Sequence, residues 1–150
     1  MGLLSRRSLS KTVAHVRTAH ESPTAIGWAG NRTLTIDRSS DAGGMGLGYN
    51  GGELLFLAIG ACHTNDLFRE ASKRGISVKS VQVDLEGEWG GDPVRAQNVV
   101  FSAKVEADAG ENEIMELIRQ TDQVAEIHNS LRMGTQVTLT DAKPFKTKKQ

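Results

Sequence analysis

The feature of the sequence that most restricts the fold is a single helical segment in the middle of the chain. Residues 53–74 contain no helix breaker except Gly60, and Gly75 follows as a typical C-terminal stop. The first half, residues 54–59, is apolar nearly all round, whereas the second half is amphipathic. A helix that is apolar on every side is normally buried. The pattern therefore predicts a long central helix that begins in the core and ends in solvent.

Alternation of polar and apolar residues predicts strands on both sides of this helix. Before the helix, the alternation is partial in residues 12–19 and 33–37. After the helix it is clear in residues 81–89 and 99–105, and the turn residues between them predict an antiparallel pair. A last strand is expected at residues 135–140.

Two shorter helices are predicted after the antiparallel pair. Asp108 lies three residues before Glu111, which is typical of an N-cap with its capping-box partner. Apolar residues at helical spacing follow as far as Thr121, and a shorter helical piece is expected at residues 124–131. Strands in a run with helices between them indicate an α+β domain of two layers.

The segment before the central helix, residues 41–52, contains six glycines and is predicted to be a loop. It has neither the Gly-Lys-Ser/Thr end of a P-loop nor the glycine spacing of a dinucleotide fingerprint. A flexible connection is therefore favoured over a phosphate site, and no cofactor is predicted.

Length and charge limit the classes of protein to which the chain can belong. Its 150 residues fit one domain, predicted to span residues 1–150 with flexible ends at 1–10 and 143–150. Eighteen basic and eighteen acidic side chains cancel, which argues against a nucleic-acid partner. The longest apolar run, residues 54–62, is too short to span a membrane, and the N-terminus lacks the order of a secretory signal.

The sequence contains one cysteine, Cys62, in the middle of the most apolar helix. No disulfide can form within one chain, so a cytoplasmic location is expected. A free cysteine is most simply a small buried apolar residue, because reactivity requires a lowered thiol pKa. The helix dipole fades before this position, and Asp66, four residues later, would raise the thiol pKa if it pointed that way. A cation would have to come from elsewhere in the fold.

The four histidines are His15, His20, His63 and His128. None forms a His-Glu-x-x-His pair and no second cysteine is available, so no metal site is predicted. His15 and His20 are most simply surface residues.

Residues 52–62, Gly-Glu-Leu-Leu-Phe-Leu-Ala-Ile-Gly-Ala-Cys, closely resemble the central helix of the OsmC/Ohr family. That family has an acidic residue before a leucine-rich turn, then small residues, then the peroxidatic cysteine. The glycine-rich loop and residues 73–76, 81–87 and 127–132 resemble neighbouring parts of the family, so the match spans about residues 30–141. The resemblance implies an α+β fold with a mostly antiparallel sheet, in an intertwined homodimer with active sites at the subunit interface.

In the family, two cysteines reduce organic hydroperoxides, but this chain departs from that pattern. The position of the second cysteine is Ala125, and the proline expected after it is Glu126. One hypothesis keeps Cys62 as the peroxidatic thiol of a stress-response protein, with an external thiol as reductant. A second hypothesis is a non-catalytic binding module for a small hydrophobic molecule at the dimer interface. A structural dimer with no site is the third.

The resemblance also suggests which residues would assist Cys62 if it is peroxidatic. Glu53 matches the acidic partner of the family, and Arg32 and Arg38 are candidates for the arginine that stabilises the thiolate. His63 and His128 could tune the thiol as cations, although a plain hydrogen-bonding role is simpler.

Overall fold

The computed structural model describes residues 9–144 of the chain. In chain order its elements are β1 (His15–Thr18), β2 (Ala25–Ala29), β3 (Arg32–Ile36), α1 (Gly51–Lys73), β4 (Val78–Gly90), β5 (Arg95–Ala107), α2 (Glu111–Val124) and α3 (Glu126–Met133). This is an α+β fold with antiparallel sheets and three helices. None of the described helices is long and apolar enough to span a bilayer. The expected flexible ends, 1–10 and 143–150, lie largely outside the described residues.

The described chain divides within α1 into two compact units, one ending at Leu57 and the other beginning at Ala58. The first unit contains an antiparallel sheet in the order β1-β2-β3. β1 and β3 confirm the two early strand predictions, although β1 is shorter than predicted. β2 was not predicted, because Gly27 interrupts its pattern; a Cβ there would lie 2.7 Å from Ile36 Cδ1.

The glycine-rich loop is ordered around one buried carboxylate, that of Asp37. Its oxygens accept backbone N–H hydrogen bonds from Arg38 at 2.8 Å and from Met45 and Leu47 at 3.1 Å, and the Thr24 hydroxyl at 3.2 Å. Burial raises the pKa of Asp37, but the donors from Leu47, Arg38 and Met45 together lower it below its usual value. The loop prediction is confirmed as far as Asn50, because α1 already begins at Gly51, and Asp37 anchors the loop along one path.

Two of the loop glycines are required by close backbone contact. A Cβ on Gly44 would lie 2.1 Å from the carbonyl oxygen of Arg38, and one on Gly48 would lie 2.3 Å from that of Thr35. Contacts this short exclude any side chain, so these glycines allow the loop to pack on its own backbone.

The second unit contains the antiparallel pair β4 and β5, which confirms the predicted hairpin and extends it at both ends. One face of the hairpin carries apolar residues in register, namely Val81, Val83 and Leu85 opposite Val105, Ala103 and Phe101. Leu67 and Ala71 of α1 and Leu117 of α2 form the fully buried core cluster, with Val81 and Val105 packed against it. A Cβ on Gly60 would lie 3.0 Å from Leu85 Cδ1, so this glycine brings α1 close to β4.

The distribution of burial along α1 differs from the prediction. Its buried residues, all from the second part of the helix, are Ile59, His63, Asp66, Leu67, Glu70 and Ala71. None of residues 51–58 is buried, and Leu57 is half exposed. A helical segment that is apolar on every side is buried only if other residues pack against all of its sides. A single chain provides this packing only in part. The long helix is therefore as predicted, but the expectation of a first half buried on every side is wrong for the single chain.

Two predictions after β5 are also corrected. The N-cap of α2 is Gly110, whose N–H donates to Glu113 Oε2 at 3.0 Å, whereas Asp108 pairs with Lys79 Nζ at 2.7 Å. The capping pattern therefore begins two residues later than predicted. The strand expected at residues 135–140 is irregular, with Val137 97% and Leu139 84% exposed. A strand forms only beside another strand, and no described segment pairs with this one.

Candidate functional site

The thiol of Cys62 lies between a carboxylate of its own helix and the first turn of α3. Cys62 Sγ donates to Asp66 Oδ2 at 3.5 Å, a contact that follows from their spacing of four residues on α1. The backbone N–H groups of Glu126 and Ile127 lie close enough to the sulfur to lower the pKa of the thiol. The thiol therefore has a proton acceptor on one side and helix-terminal donors on the other.

The junction of α2 and α3 determines where those donors lie. Ala125, fully buried, has an extended backbone (φ −63°, ψ 114°) and separates α2 from α3, so the first turn of α3 begins at Glu126. Arg132 of α3 reaches back to Asp122 of α2, with Nη2 at 2.7 Å from Oδ1. Asn129 Nδ2 donates to the carbonyl oxygen of Gln123 at 2.9 Å. These contacts hold the two helices together in a fixed arrangement.

A row of charged side chains continues along α1 from Asp66. Arg69 Nη1 lies 2.7 Å from Asp66 Oδ1, and Arg69 Nε lies 3.2 Å from Glu70 Oε1. Lys73 Nζ lies 2.7 Å from the same oxygen of Glu70. Both carboxylates are buried, and each has a cation within contact distance. The charge of the two acids is therefore compensated within the helix itself.

The surroundings of Cys62 favour the protonated thiol. Burial raises the pKa of Cys62 most strongly, and the charge and hydrogen bond of Asp66 raise it further. The N–H groups of Ile127 and Glu126 lower the pKa but do not outweigh these effects. Arg69, which could have stabilised a thiolate, is instead bound to Asp66 and Glu70. The thiol of the described chain is therefore protonated at neutral pH.

His63 and His128, two of the predicted supporting residues, lie together in the interior beside Phe101. The ring centroids of the two histidines are 5.8 Å apart, and each lies about 5 Å from the Phe101 ring, at 5.0 Å for His63 and 5.1 Å for His128. None of the ring nitrogens has a hydrogen-bond partner among the described residues. Burial lowers the pKa of both histidines, so at neutral pH they supply no positive charge to Cys62.

The remaining predicted site residues belong to the unit that ends at Leu57. Glu53 Oε2 accepts the N–H of Asn50 at 2.9 Å, and Asn50 Oδ1 accepts the N–H of Glu53 at 3.0 Å, a reciprocal cap of α1. Arg32 is the first residue of β3, and Arg38 donates its backbone N–H to Asp37. Within the part of the chain that the structure describes, no cluster of three or more His, Cys, Asp or Glu residues could hold a metal ion.

Sequence reasoning missed two parts of the site. It did not identify Arg69, although arginine three residues after a helical aspartate is a common ion-pair spacing. It also did not identify the N–H groups of Glu126 and Ile127, because backbone donors leave no signal in the residue type. The junction at which α3 begins is Ala125, which is fully buried.

The fold and this site define a class, namely an α+β protein whose long helix presents a single thiol to the start of a later helix. The family model described as OsmC-like protein matches residues 43–140, which is more than half of the chain. The chain therefore belongs to the OsmC-like family. Comparison with curated proteins finds no match.

Solved structures share the fold at low sequence identity. An OsmC-like protein from Mycoplasma pneumoniae is 17% identical, with a TM-score of 0.71, over 84% of this chain and 89% of that chain. An organic hydroperoxide resistance protein OsmC from Legionella pneumophila is 20% identical, with a TM-score of 0.58, over 84% and 92%. A putative organic hydroperoxide resistance protein from Vibrio cholerae, with captopril bound in one active site, is 18% identical, with a TM-score of 0.59, over 87% and 90%.

The buried histidine pair generates a prediction about stability and pH. A histidine whose pKa is lowered by folding binds fewer protons in the folded state than in the unfolded state. It does not reduce the free energy of unfolding above the ordinary histidine pKa, but reduces it progressively as the pH falls below that pKa. Each histidine contributes a slope of at most about 1.4 kcal/mol per pH unit. His128→Leu should therefore lose less stability between about pH 7 and about pH 5 than the parent protein, as measured by urea unfolding.

His20→Leu is the matched control, because the side chain of His20 is almost fully exposed. That variant should keep the pH slope of the parent protein. An unchanged slope in His128→Leu would mean that this histidine does not oppose protonation in the folded state.

Proposed function

We propose that the protein is a one-cysteine, thiol-dependent reductase of organic hydroperoxides. The supporting observation is the position of Cys62 Sγ between Asp66 Oδ2, at 3.5 Å, and the N–H groups of Glu126 and Ile127. A thiol that attacks a peroxide must lose its proton and gains negative charge on sulfur as it does so. The carboxylate can accept the proton, and the helix-terminal N–H groups stabilise developing negative charge.

The reaction has two stages. In the first, sulfur attacks the terminal peroxide oxygen; the S–O bond forms, the O–O bond breaks, and an alcohol leaves with the proton that the thiol gave up. Cys62 is oxidised to a sulfenic acid and the peroxide is reduced. In the second, one external thiol displaces water to form a mixed disulfide, and another releases Cys62 as a thiol with formation of an external disulfide. An external reductant is needed because the chain has no second cysteine.

The descriptions of relatives support this activity, and its need for a reductant indicates the compartment. Relatives of the same fold from Legionella pneumophila, Vibrio cholerae and Elizabethkingia anophelis are described as organic hydroperoxide resistance proteins. A relative from Psychrobacter arcticus is described as a putative osmotic stress induced and detoxification response protein. A supply of external thiol requires a reducing compartment, so we propose a cytoplasmic stress-response role.

A second candidate is a non-catalytic binding module for a small hydrophobic molecule. The raised pKa of the Cys62 thiol favours this function, because an inert thiol needs no reductant. The apolar side chains on the first part of α1 would then form the wall of a ligand site, with Leu57 already half exposed in the single chain. The proposed wall consists of Leu54, Phe56, Leu57 and Ile59.

We also propose that the protein is a homodimer in which residues 135–140 form a strand with a second copy of the chain. The segment alternates apolar and polar residues, and its apolar members Val137 and Leu139 are almost fully exposed. A chain with this pattern becomes a strand when it meets a sheet edge. β4 and β5 form a two-stranded sheet, so their outer edges are unpaired within the described chain.

Lysine substitution tests the dimer. Val137→Lys should convert a dimer into a monomer in sedimentation velocity, because it places a charge on the face of the strand that becomes buried. Thr138→Lys, on the opposite face, should remain a dimer. A parent protein that sediments as a monomer would contradict the proposal.

The enzyme proposal is tested by replacing the thiol. Cys62→Ser should lose all consumption of tert-butyl hydroperoxide above the uncatalysed rate, with dithiothreitol as reductant, because a hydroxyl cannot form a sulfenic acid. His20→Leu is a control that should retain the activity. Equal consumption by Cys62→Ser and the parent protein would exclude the reductase, and displacement of a fluorescent apolar probe by fatty acids would then favour the binding module.

A further inference from the structure

We propose that Asp66 is a catalytic residue: its carboxylate takes the proton of the Cys62 thiol as sulfur attacks and passes it to the departing alkoxide. This inference rests on the proposed hydroperoxide reductase and specifies its proton path. Asp66 Oδ2 contacts the reacting sulfur itself, at 3.5 Å. In this role the carboxylate takes part in the proton transfer and does not only raise the pKa of the thiol.

The contacts of the two carboxylate oxygens are divided in a way that suits this role. Oδ1 lies 2.7 Å from Arg69 Nη1, and Oδ2 faces Cys62 Sγ. The guanidinium orients the carboxylate through Oδ1 and leaves Oδ2 facing the thiol. Asp66 is buried and Cys62 is partly buried, so the carboxylate is held beside the thiol as a proton acceptor.

The proton and electron balance is complete within the pair. The thiol proton moves from Sγ to Oδ2 while sulfur donates an electron pair to the terminal peroxide oxygen. The O–O bond breaks, and the alkoxide leaves with the bonding electrons. It then takes the proton from Oδ2, which returns Asp66 to the carboxylate. The products are a sulfenic acid on Cys62 and one molecule of alcohol, and no free thiolate forms.

The two histidines near this thiol–carboxylate pair are neutral at neutral pH, because burial lowers their pKa. Arg69 contacts the carboxylate from the same helix, and Glu126 of α3 faces Arg69. His63 of α1 and His128 of α3 interact electrostatically with Asp66 and with Asp122 of α2, and burial keeps both histidines neutral. Titration of these histidines therefore does not add charge beside the thiol over about pH 6.5 to about pH 8.

The test compares two reactions of Cys62 in the parent protein as a function of pH. Alkylation by iodoacetamide follows the thiolate and should rise about tenfold per pH unit below the thiol pKa. Oxidation by excess tert-butyl hydroperoxide, followed as sulfenic acid formation by mass spectrometry, should stay nearly constant over about pH 6.5 to about pH 8 if Asp66 takes the proton. Oxidation that rises in parallel with alkylation would overturn the role of Asp66.

Asp66→Asn provides the second measurement. Alkylation should become faster, because the carboxylate raises the thiol pKa. Oxidation by the hydroperoxide should become about 10²-fold slower at neutral pH, because the proton acceptor is lost. Glu70→Gln is the matched control: Glu70 is an equally buried acid on the same helix that also binds Arg69, but its carboxylate contacts Arg69 and Lys73, whereas that of Asp66 contacts the thiol. Oxidation of the Glu70→Gln variant should remain independent of pH.

The outcomes separate this inference from the function on which it rests. If Asp66→Asn accelerates both reactions together, the carboxylate only suppresses the thiolate and the inference is wrong, while the reductase stands. If the parent protein is oxidised no faster than free cysteine and Cys62→Ser consumes as much hydroperoxide, both proposals fail. If Asp66→Asn does not fold, the pH dependence of the parent protein decides alone.

Discussion

The packing of α1 against α2 is the contact on which the second unit depends. Leu67 and Ala71 meet Leu117 in a cluster from which solvent is excluded. Removing a buried leucine side chain costs about 2–5 kcal/mol, whereas an exposed ion pair contributes about 0–1 kcal/mol. Apolar packing therefore sets the position of the two helices. Since α3 follows α2 after a single extended residue, the same packing also brings the first N–H groups of α3 to Cys62.

The same helix places charged groups close to this apolar cluster. Asp66 and Glu70 flank Leu67, and both are buried together with their partners on α1. A buried carboxylate is stable only when a cation or hydrogen-bond donor compensates it, and Arg69 contacts both. The guanidinium of Arg69 compensates the charge of Asp66 and is not available to the thiol. Cys62 therefore has a proton acceptor beside it, not a cation. Proton transfer to a carboxylate offers such a thiol a route that needs no thiolate.

Much of the fold could be predicted from the sequence, because long periodic segments determine their own conformation. The central helix, the β4–β5 hairpin and α2 follow from periodicity alone. The failures have separate causes. β2 contains Gly27 at a close contact with Ile36, which removes its alternation, and Gly110 rather than Asp108 caps α2. Residues 135–140 have the composition of a strand, but strand formation depends on a neighbouring edge that lies outside the segment's own sequence.

The site was predictable only in part. Cys62 and the influence of Asp66 follow from spacing on one helix, so sequence reasoning reached both. Whether a histidine is charged depends on its burial, which the sequence does not show. The lowered pKa of His63 and His128 becomes evident only from their buried position beside Phe101. Helix-terminal N–H groups belong to the backbone, so their approach to the sulfur could not be predicted from residue types.

The most direct test of the central claim, that Cys62 is held as a protonated thiol beside Asp66, is the ionisation of this single thiol in the parent protein. Thiolate absorbance in the ultraviolet, recorded as pH is raised, reports it without interference from another cysteine. We predict a midpoint above the value of about 8.5 that is ordinary for cysteine. A midpoint well below that value would mean that a cation stabilises the thiolate and that the protonated thiol–carboxylate pair does not describe the working site.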